Sequence, residues 1–350
     1  MRLTWRTAHL ELAEPLRISR SVTASRDAVW VTIEHEGEYG SGEALGSPRL
    51  GLSASTIVAA LESVARPWLA RFAEPESASA LLDTAAPDGL PAGVLAALDA
   101  ALWDLVGKRA DRPVHRMLGA DRAPAAATAR TIGIVEPEYA ATQAGRLAAL
   151  GFTVLKIKAG SPDPVHDLDR VAAVRAAAPH ARLLLDPNGG WTEARTLDLL
   201  PRFAALGVEA VEQPVAPGRP DLLARIARHA PIPVIADEDA VTPEDVLRLA
   251  GRVPGVNLKL AECGGARAAL RLVEALRGSG TEIMFGCLTG SSLGLAPAVQ
   301  ILDRARWVDL DGHLLLAHDP WTGIGGLDGT VRAPDAAGLG VRPAPARERR

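Results

Sequence analysis

Lysine occurs at four positions in this chain and arginine at 34. Three of the four lysines close apolar, β-type runs: Lys156 and Lys158 in Thr153-Val-Leu-Lys-Ile-Lys158, and Lys259 in Val256-Asn-Leu-Lys259. The fourth, Lys108, follows a helical segment. Arginine stays protonated in proteins, whereas a lysine that is desolvated or set beside a second cation can lose its proton and act as a base. A chain that writes nearly every surface cation as arginine has kept lysine where proton transfer would need it. Carboxylates end similar runs at Asp186, Glu212 and Asp237, spaced 26 and 25 residues apart. Any one of these acids would serve as a helix cap or an arginine partner. Three brought to one place without partners would repel, and a hard divalent cation with oxygen ligands, Mg²⁺ above all, resolves that repulsion.

The elements that must position these groups follow from periodicity. Residues 1 to about 40 alternate apolar and polar positions, as in Ala28-Val-Trp-Val-Thr-Ile-Glu34, which is strand and hairpin patterning. Helical periodicity follows from about Ser53 to Phe72 and from Gly93 to Gly107. From about Arg130 short apolar runs alternate with amphipathic segments. The expected strands are Thr131–Ile134, Thr153–Lys158, Arg182–Asp186, Val208–Glu212, Val234–Asp237, Gly255–Lys259, Glu282–Phe285 and Trp307–Leu310. Their starts fall 21 to 29 residues apart. Eight strands at one βα unit each argue an α/β barrel rather than an open doubly wound sheet. The Gly- and Pro-rich tail after His318 reads as an extended return across the small N-terminal domain.

Barrel active sites lie at the C-terminal ends of the strands, where the acids and lysines fall. Lys156 and Lys158, at i and i+2, share a face of the second strand, and neighbouring ammonium groups depress each other's pKa. Strands two and six stand across the mouth from each other, with the acidic strands between them. A substrate carboxylate chelated by the cation has an acidified α-proton, because the enediolate left behind is stabilised. One lysine removing that proton and the other returning it on the opposite face amounts to 1,1-proton transfer, hence racemisation or epimerisation.

The residues that carry this pattern are similar to those of a known family. Ala97-Leu-Asp-Ala-Ala-Leu-Trp-Asp-Leu105, Leu155-Lys-Ile-Lys158, Leu185-Asp-Pro-Asn-Gly-Gly-Trp191, Val211-Glu-Gln-Pro214, Ile235-Ala-Asp-Glu238 and Asn257-Leu-Lys-Leu-Ala-Glu-Cys-Gly-Gly265 resemble the enolase superfamily, in its muconate-lactonizing-enzyme-like subgroup. The resemblance runs from the first strand to about residue 340. It implies a modified (β/α)7β TIM barrel at 116–320, an N-terminal α+β capping domain at 1–115 and a C-terminal segment, 321–350, returning to the cap. It further implies one Mg²⁺ per subunit on Asp186, Glu212 and Asp237, and acid/base roles for Lys158 and Lys259. Lys156 would contact the substrate carboxylate and tune Lys158. Asn188 and Glu238 would contact the ligands or a metal-bound water.

Within the subgroup, Val308-Asp-Leu-Asp-Gly312 resembles the Asp-x-Asp element of dipeptide epimerases of the L-Ala-D/L-Glu type, where paired acids receive the substrate's α-ammonium. Asp309 and Asp311 are the corresponding residues. Pro15-Leu-Arg-Ile-Ser-Arg20 resembles the first specificity loop of the cap, with Arg20 at the position that reads an acidic side chain, and Leu45-Gly-Ser-Pro-Arg-Leu50 would be the second loop. The chain departs from many relatives at Gly290, where they carry Glu, and at His313, where Pro is frequent. The implied activity is Mg²⁺-dependent epimerisation of the C-terminal residue of a dipeptide, L-Ala-L/D-Glu or a relative, in murein peptide recycling. N-Succinylamino-acid racemase, o-succinylbenzoate synthase and muconate cycloisomerase chemistry use the same machinery, but their substrates lack an ammonium for the Asp pair. The formal charge of −4 and the lack of a basic stripe argue against nucleic acid. Met1-Arg-Leu-Thr-Trp-Arg6 leads straight into an alternating segment and no run of 18 apolar residues appears, so the expectation is a cytoplasmic, homo-oligomeric enzyme without a leader and with two buried free thiols, Cys263 and Cys287.

Overall fold

The computed structural model describes residues 1–82 and 84–345; the final residues of the expected C-terminal segment, 346–350, lie outside them. The alternating N-terminal stretch forms a three-stranded antiparallel sheet of Arg2–Ile18, Ser21–His35 and Glu38–Leu45. The first two strands are much longer than the sequence suggested. Ile18 pairs with Ser21, so Ser19-Arg20 is a two-residue hairpin turn, and the expected loop from Pro15 is strand beyond a register shift between Glu11 and Leu16. That hairpin is long enough to project over the barrel.

Against this sheet packs the helix Ala92–Arg109, apolar almost all round and buried over most of its length, as a helix trapped between two layers must be. It lies directly on the third strand. A Cβ at Gly40 or Gly42 would sit 2.0 Å from the carbonyl oxygens of Ala101 and Ala97 respectively, so only glycine permits the approach. Two acids on this helix are buried and both are used. Asp104 accepts from Ser41 N–H at 3.0 Å, Leu339 N–H at 2.9 Å and Lys108 Nζ at 2.8 Å, joining cap sheet, cap helix and C-terminal tail. Asp99 accepts from Ala266 N–H at 2.8 Å and lies 3.2 Å from Arg267 Nε. It thereby caps the barrel helix Ala266–Leu276, whose own N-cap residue is Gly265 and has no side chain to offer.

The eight parallel strands of the second unit are Ala129–Ile132, Val154–Lys158, Arg182–Asp186, Val208–Glu212, Val234–Ala236, Gly255–Lys259, Glu282–Gly286 and Trp307–Asp309, paired in chain order. Seven connections carry helices, and strand eight is followed only by a short turn, Gly312–Leu315, so the unit is a (β/α)7β barrel beneath an α+β cap. Strand one starts two residues earlier than expected, because Ala129-Arg-Thr-Ile132 carries little β patterning. The crossover helices begin where local chemistry favours it. Pro137, Pro164, Pro220 and Pro243 occupy first-turn positions, and the side chains of Asp163, Thr192 and Thr242 accept from backbone N–H groups as caps. Strands eight and one are neighbours joined through side chains: Leu310 N–H donates to Thr128 Oγ1 at 2.8 Å and Thr131 N–H to Asp311 Oδ2 at 2.7 Å. The tail contributes Thr330–Arg332, paired with Ala125–Ala127 below strand one, and Trp321, which packs edge-on against Trp30 of the cap. No helix among the described residues is long and apolar enough to cross a membrane.

Asp99→Ala leaves the first N–H groups of Ala266–Leu276 and the Arg267 guanidinium without their buried acceptor. It is expected to lower unfolding stability by about 1–3 kcal/mol, read as a shift in denaturant midpoint. An unchanged midpoint would refute the capping role.

Candidate active site

Side chains alternate along a strand, and the inward face of this barrel steps from apolar to ionic. Its floor consists of Ala129, Val154, Leu184, Ala210, Ile235, Met284 and Trp307. Two residues further on, Val154 is followed by Lys156 and then Lys158, Leu184 by Asp186, Ala210 by Glu212, Ile235 by Asp237, and Trp307 by Asp309. On strand six the same alternation sets Asn257 and Lys259 inward. Gly286 on strand seven leaves room for Asn257, since a Cβ there would meet its side-chain oxygen at 2.4 Å.

The charges interlock. Lys156 Nζ lies 2.6 Å from Glu212 Oε2, 2.7 Å from Asp309 Oδ2 and 3.1 Å from Asp186 Oδ2. Lys158 donates to Asp186 Oδ2 at 2.6 Å, and across the mouth Lys259 donates to the two oxygens of Asp237 at 2.5 and 2.6 Å. Sequence spacing suggested that the adjacent ammonium groups would lower each other's pKa. The structure reverses the direction for Lys156. Burial alone would push Lys156 and Lys259 down, but the facing carboxylates outweigh it and hold both above the usual lysine range. Burial would raise Asp186, yet Lys158 and Lys156 hold it well below the usual carboxylate range. Glu212 moves the other way, pushed up to about 8 by burial and the nearby Asp186.

Among the described residues no three acids or imidazoles stand ready to hold a cation as they are, because the ammonium groups lie between the carboxylates. The supply of oxygen acceptors nevertheless exceeds the donors. Glu212 Oε2 faces Lys156 without hydrogen-bond alignment, and Glu238 Oε2, Asp309 Oδ1, Asn188 Oδ1 and Asn257 Oδ1 are buried without a donor. Carboxylates on three consecutive strands, with unpartnered buried oxygen atoms around them, suit a divalent cation on Asp186, Glu212 and Asp237.

The expected residues converge. Arg20, Lys156, Lys158, Asp186, Asn188, Asp237, Glu238, Lys259, Asp309 and Asp311 line one cavity of about 470 Å³, and Glu212 lies just beneath its wall. Asn188 donates its N–H to Asp186 Oδ1 at 2.8 Å and its Nδ2 to Asp186 Oδ2 at 3.1 Å. Arg20 donates to Asn188 O at 2.7 Å and to Glu238 Oε1 at 2.6 Å, so its charge is already matched. The Asp pair divides its work: Asp309 keeps a buried oxygen free beside Lys156, whereas Asp311 Oδ2 accepts from Thr131 N–H at 2.7 Å and Arg130 Nη1 at 3.3 Å. Cys287 is only half-buried and lines the cavity, unlike Cys263; burial and the nearby Asp309 push its thiol up, away from reactivity.

Other contributors escaped the sequence pattern. Gln213, held at φ +31° and fully buried, accepts from Asp237 N–H at 3.0 Å and Asp239 N–H at 3.2 Å, fixing the backbone that carries Asp237. Asn257 donates to Glu212 Oε1 at 3.0 Å. Its place two residues before Lys259 was the signal that could have found it. From the cap, Arg49 pairs with Glu262, and Arg26 lines the cavity. Beside Gly290 the space is filled by a cap carboxylate, Glu43, whose Oε1 accepts from Ser291 N–H at 2.9 Å and Oε2 from Trp30 Nε1 at 2.8 Å. A Cβ at Gly290 would meet Glu43 Oε1 at 2.8 Å. Nothing in the linear sequence relates positions 43 and 290.

Residues 2–119 match the mandelate racemase / muconate lactonizing enzyme N-terminal domain, and residues 139–347 match the enolase C-terminal domain-like family. The chain belongs to the enolase superfamily. It is an epimerase or racemase of that superfamily, acting on amino-acid derivatives. This enolase-superfamily chain is 34% identical over 346 residues to a hydrophobic dipeptide epimerase of Roseobacter litoralis, covering 97% of this chain and 98% of that one. Its structure is similar to a substrate-liganded L-Ala-D/L-Glu epimerase from Bacillus subtilis, with TM-score 0.90, 27% identity and coverage of 97% and 98%. It is likewise similar to a dipeptide epimerase from Enterococcus faecalis complexed with Mg and L-Leu-L-Tyr, with TM-score 0.88, 29% identity and the same coverage.

Replacing Asp311 by Ala should orphan the part-buried Thr131 N–H at the barrel seam and lower stability by about 1–3 kcal/mol. Asp309→Asn keeps an oxygen toward Lys156 and leaves the seam hydrogen bonds in place, so its denaturant midpoint should fall less. Equal midpoints for the two variants would remove the division of labour.

Proposed function

We propose that this enzyme is a dipeptide epimerase that inverts the α-carbon of the C-terminal residue, acting on L-Ala-L/D-Glu or a close relative, as in the recycling of murein peptides. The observation that carries the reading is the pair of lysines, Lys158 and Lys259, on strands on opposite sides of one closed mouth with three acidic strands between them. A dipeptide has three handles that this cavity can meet. Its α-carboxylate would lie at the cation site and Lys156. Its α-ammonium would take the free oxygen of Asp309, with Asp311 alongside, and its α-carbon would lie between Lys158 and Lys259. A substrate with an acylated nitrogen would leave Asp309 Oδ1 unmatched, which favours a free dipeptide over N-succinylamino acids.

Asp186, Glu212 and Asp237 would hold Mg²⁺, the cation named with the Enterococcus relative. When bound, that cation supplies positive charge against the negative charge that builds on the substrate carboxylate as the α-proton leaves. Lys158 and Lys259 are the proton carriers: one in neutral form takes the α-proton, and the other in ammonium form returns a proton from the opposite face. The carboxylates that now clasp both lysines would be the cation's ligands, so the two roles would be coupled. Asn188, Asn257, Gln213 and Glu238 hold the ligands in orientation. The cap hairpin with Arg20 and the segment Leu45–Leu50 shield the site from water.

The test is proton NMR of L-Ala-L-Glu in D₂O with enzyme and Mg²⁺. Loss of the glutamyl α-proton signal and growth of the L,D diastereomer are expected. EDTA should stop both and Mg²⁺ restore them; turnover under full chelation would exclude the metal role. Lys158→Ala and Lys259→Ala should each lower epimerisation by at least about 100-fold, while the surviving lysine exchanges the α-proton of one epimer only. Exchange of both epimers in both variants would overturn the two-base assignment.

A further inference from the structure

The two lysines at the mouth leave their strands differently. Lys259 runs directly into a short helix, Leu260–Cys263. Lys158 runs into an irregular segment, 159–163, and regular structure resumes only at the helix Pro164–Ala177. Two charged side chains of that helix, Asp167 and Arg170, are buried against the segment and paired at 2.8 Å. Asp167 accepts from Gly160 N–H at 2.8 Å, from Ser161 N–H at 3.0 Å and from the Ser161 hydroxyl at 2.6 Å. Arg170 donates from Nε to the Val135 carbonyl at 2.8 Å, from Nη1 to the Lys158 carbonyl at 3.2 Å and from Nη2 to Ser161 Oγ at 3.2 Å. The guanidinium thus joins the loop after strand one to the last residue of strand two. Neither side chain lines the active-site cavity.

A buried ion pair adds little net stability over apolar residues of the same volume. Its consequence here lies in what its donors and acceptors hold. Apart from the Val135 anchor, everything they hold is the chain at and just after Lys158. That segment also turns tightly: Gly160 has φ +94°, and a Cβ there would meet Ser19 Cβ of the cap hairpin at 2.6 Å and the Pro187 carbonyl oxygen at 2.8 Å. A shift of the segment is therefore opposed by the clamp and by both neighbours. Placement matters at this lysine, since a displacement of about 1 Å of a reacting group costs on the order of 100-fold in rate. We propose that Arg170 is a positioning residue for Lys158: by fixing the end of strand two, it supports proton transfer on one face of the substrate and not on the other. This assignment rests on the two-base dipeptide reading above and names a group outside the cavity on which one of the two bases depends.

The experiment measures α-proton exchange of L-Ala-L-Glu and L-Ala-D-Glu in D₂O with Mg²⁺ in two backgrounds. In Lys259→Ala the surviving base is Lys158, and in Lys158→Ala it is Lys259. Arg170→Met, Arg170→Lys and the double replacement Asp167→Asn/Arg170→Met are placed in each. Arg170→Met should lower kcat for exchange by Lys158 by about 10- to 100-fold. KM should stay within about 3-fold, because Arg170 lies outside the cavity. Exchange by Lys259 should also stay within about 3-fold in both parameters. Arg170→Lys, which keeps the charge beside Asp167 but not the fork, should recover part of the loss. The double replacement leaves no unpaired buried charge, so it tests the same asymmetry in a folded chain even where Arg170→Met fails to fold. Equal losses in both backgrounds, or a loss in neither, would overturn the assignment. Exchange of both epimers in both backgrounds, or of neither epimer by the wild type, would instead overturn the two-base dipeptide reading, and the Arg170 role with it.

Discussion

The structure depends on the burial of many charges in one small volume. Transferring a single carboxylate or ammonium group from water to a low-dielectric interior costs on the order of 20 kcal/mol in the idealised limit, so none of these groups is tolerable alone. The barrel mouth meets the condition by interleaving. Lys156 sits among acids delivered by strands three, four and eight, with Lys158 and Lys259 as satellites on Asp186 and Asp237. The imbalance that remains, a surplus of oxygen acceptors around Glu212 and Glu238, is the feature that makes the site receptive to a further cation. Stability and function therefore draw on the same electrostatic frame.

That frame needs a dry roof, and the roof is tied down by charge as well. Asp99 of the cap helix caps a barrel helix, Glu43 of the cap sheet receives the N–H of Ser291, Arg49 of the cap pairs with Glu262, and Arg20 with Glu238. Each contact places an ion or acceptor from one unit into the other. A lateral shift of the cap would orphan several buried groups together, so the register of the roof over the mouth is strongly specified. The glycines at 286 and 290 belong to this arrangement, since each leaves space for a polar side chain from another element. Burial beneath that roof strengthens the charge pairs at the foot of the cavity.

Barrel closure shows how structural and chemical duties share residues. Strand eight is short, and it meets strand one through Thr128 and Asp311 side chains in place of a full ladder. One acid of the Asp-x-Asp element thus helps hold the barrel shut, while its neighbour keeps an oxygen available. Two identical residue types two positions apart face different demands, which only their neighbours distinguish.

The sequence by itself determined the barrel, its strand order and the groups at the mouth. Alternation within short apolar runs, repeated at near-constant spacing, is a local signal, and the C-terminal ends of the runs carried Lys156, Lys158, Asp186, Glu212, Asp237 and Lys259 in plain view. It was weakest where local signals fade: strand one, written Ala-Arg-Thr-Ile, and the long cap hairpin, which continues as strand past Pro15. The sign of the Lys156 shift was beyond it, because an ammonium group's proton affinity depends on its burial and on which charges surround it in space, and here the facing acids outweigh burial. The partnering of Glu43 with Ser291 beside Gly290, and of Asp99 with the helix at Ala266, was equally out of reach. The last two arise from contacts between residues 248 and 167 positions apart, and only the packing of cap on barrel decides them.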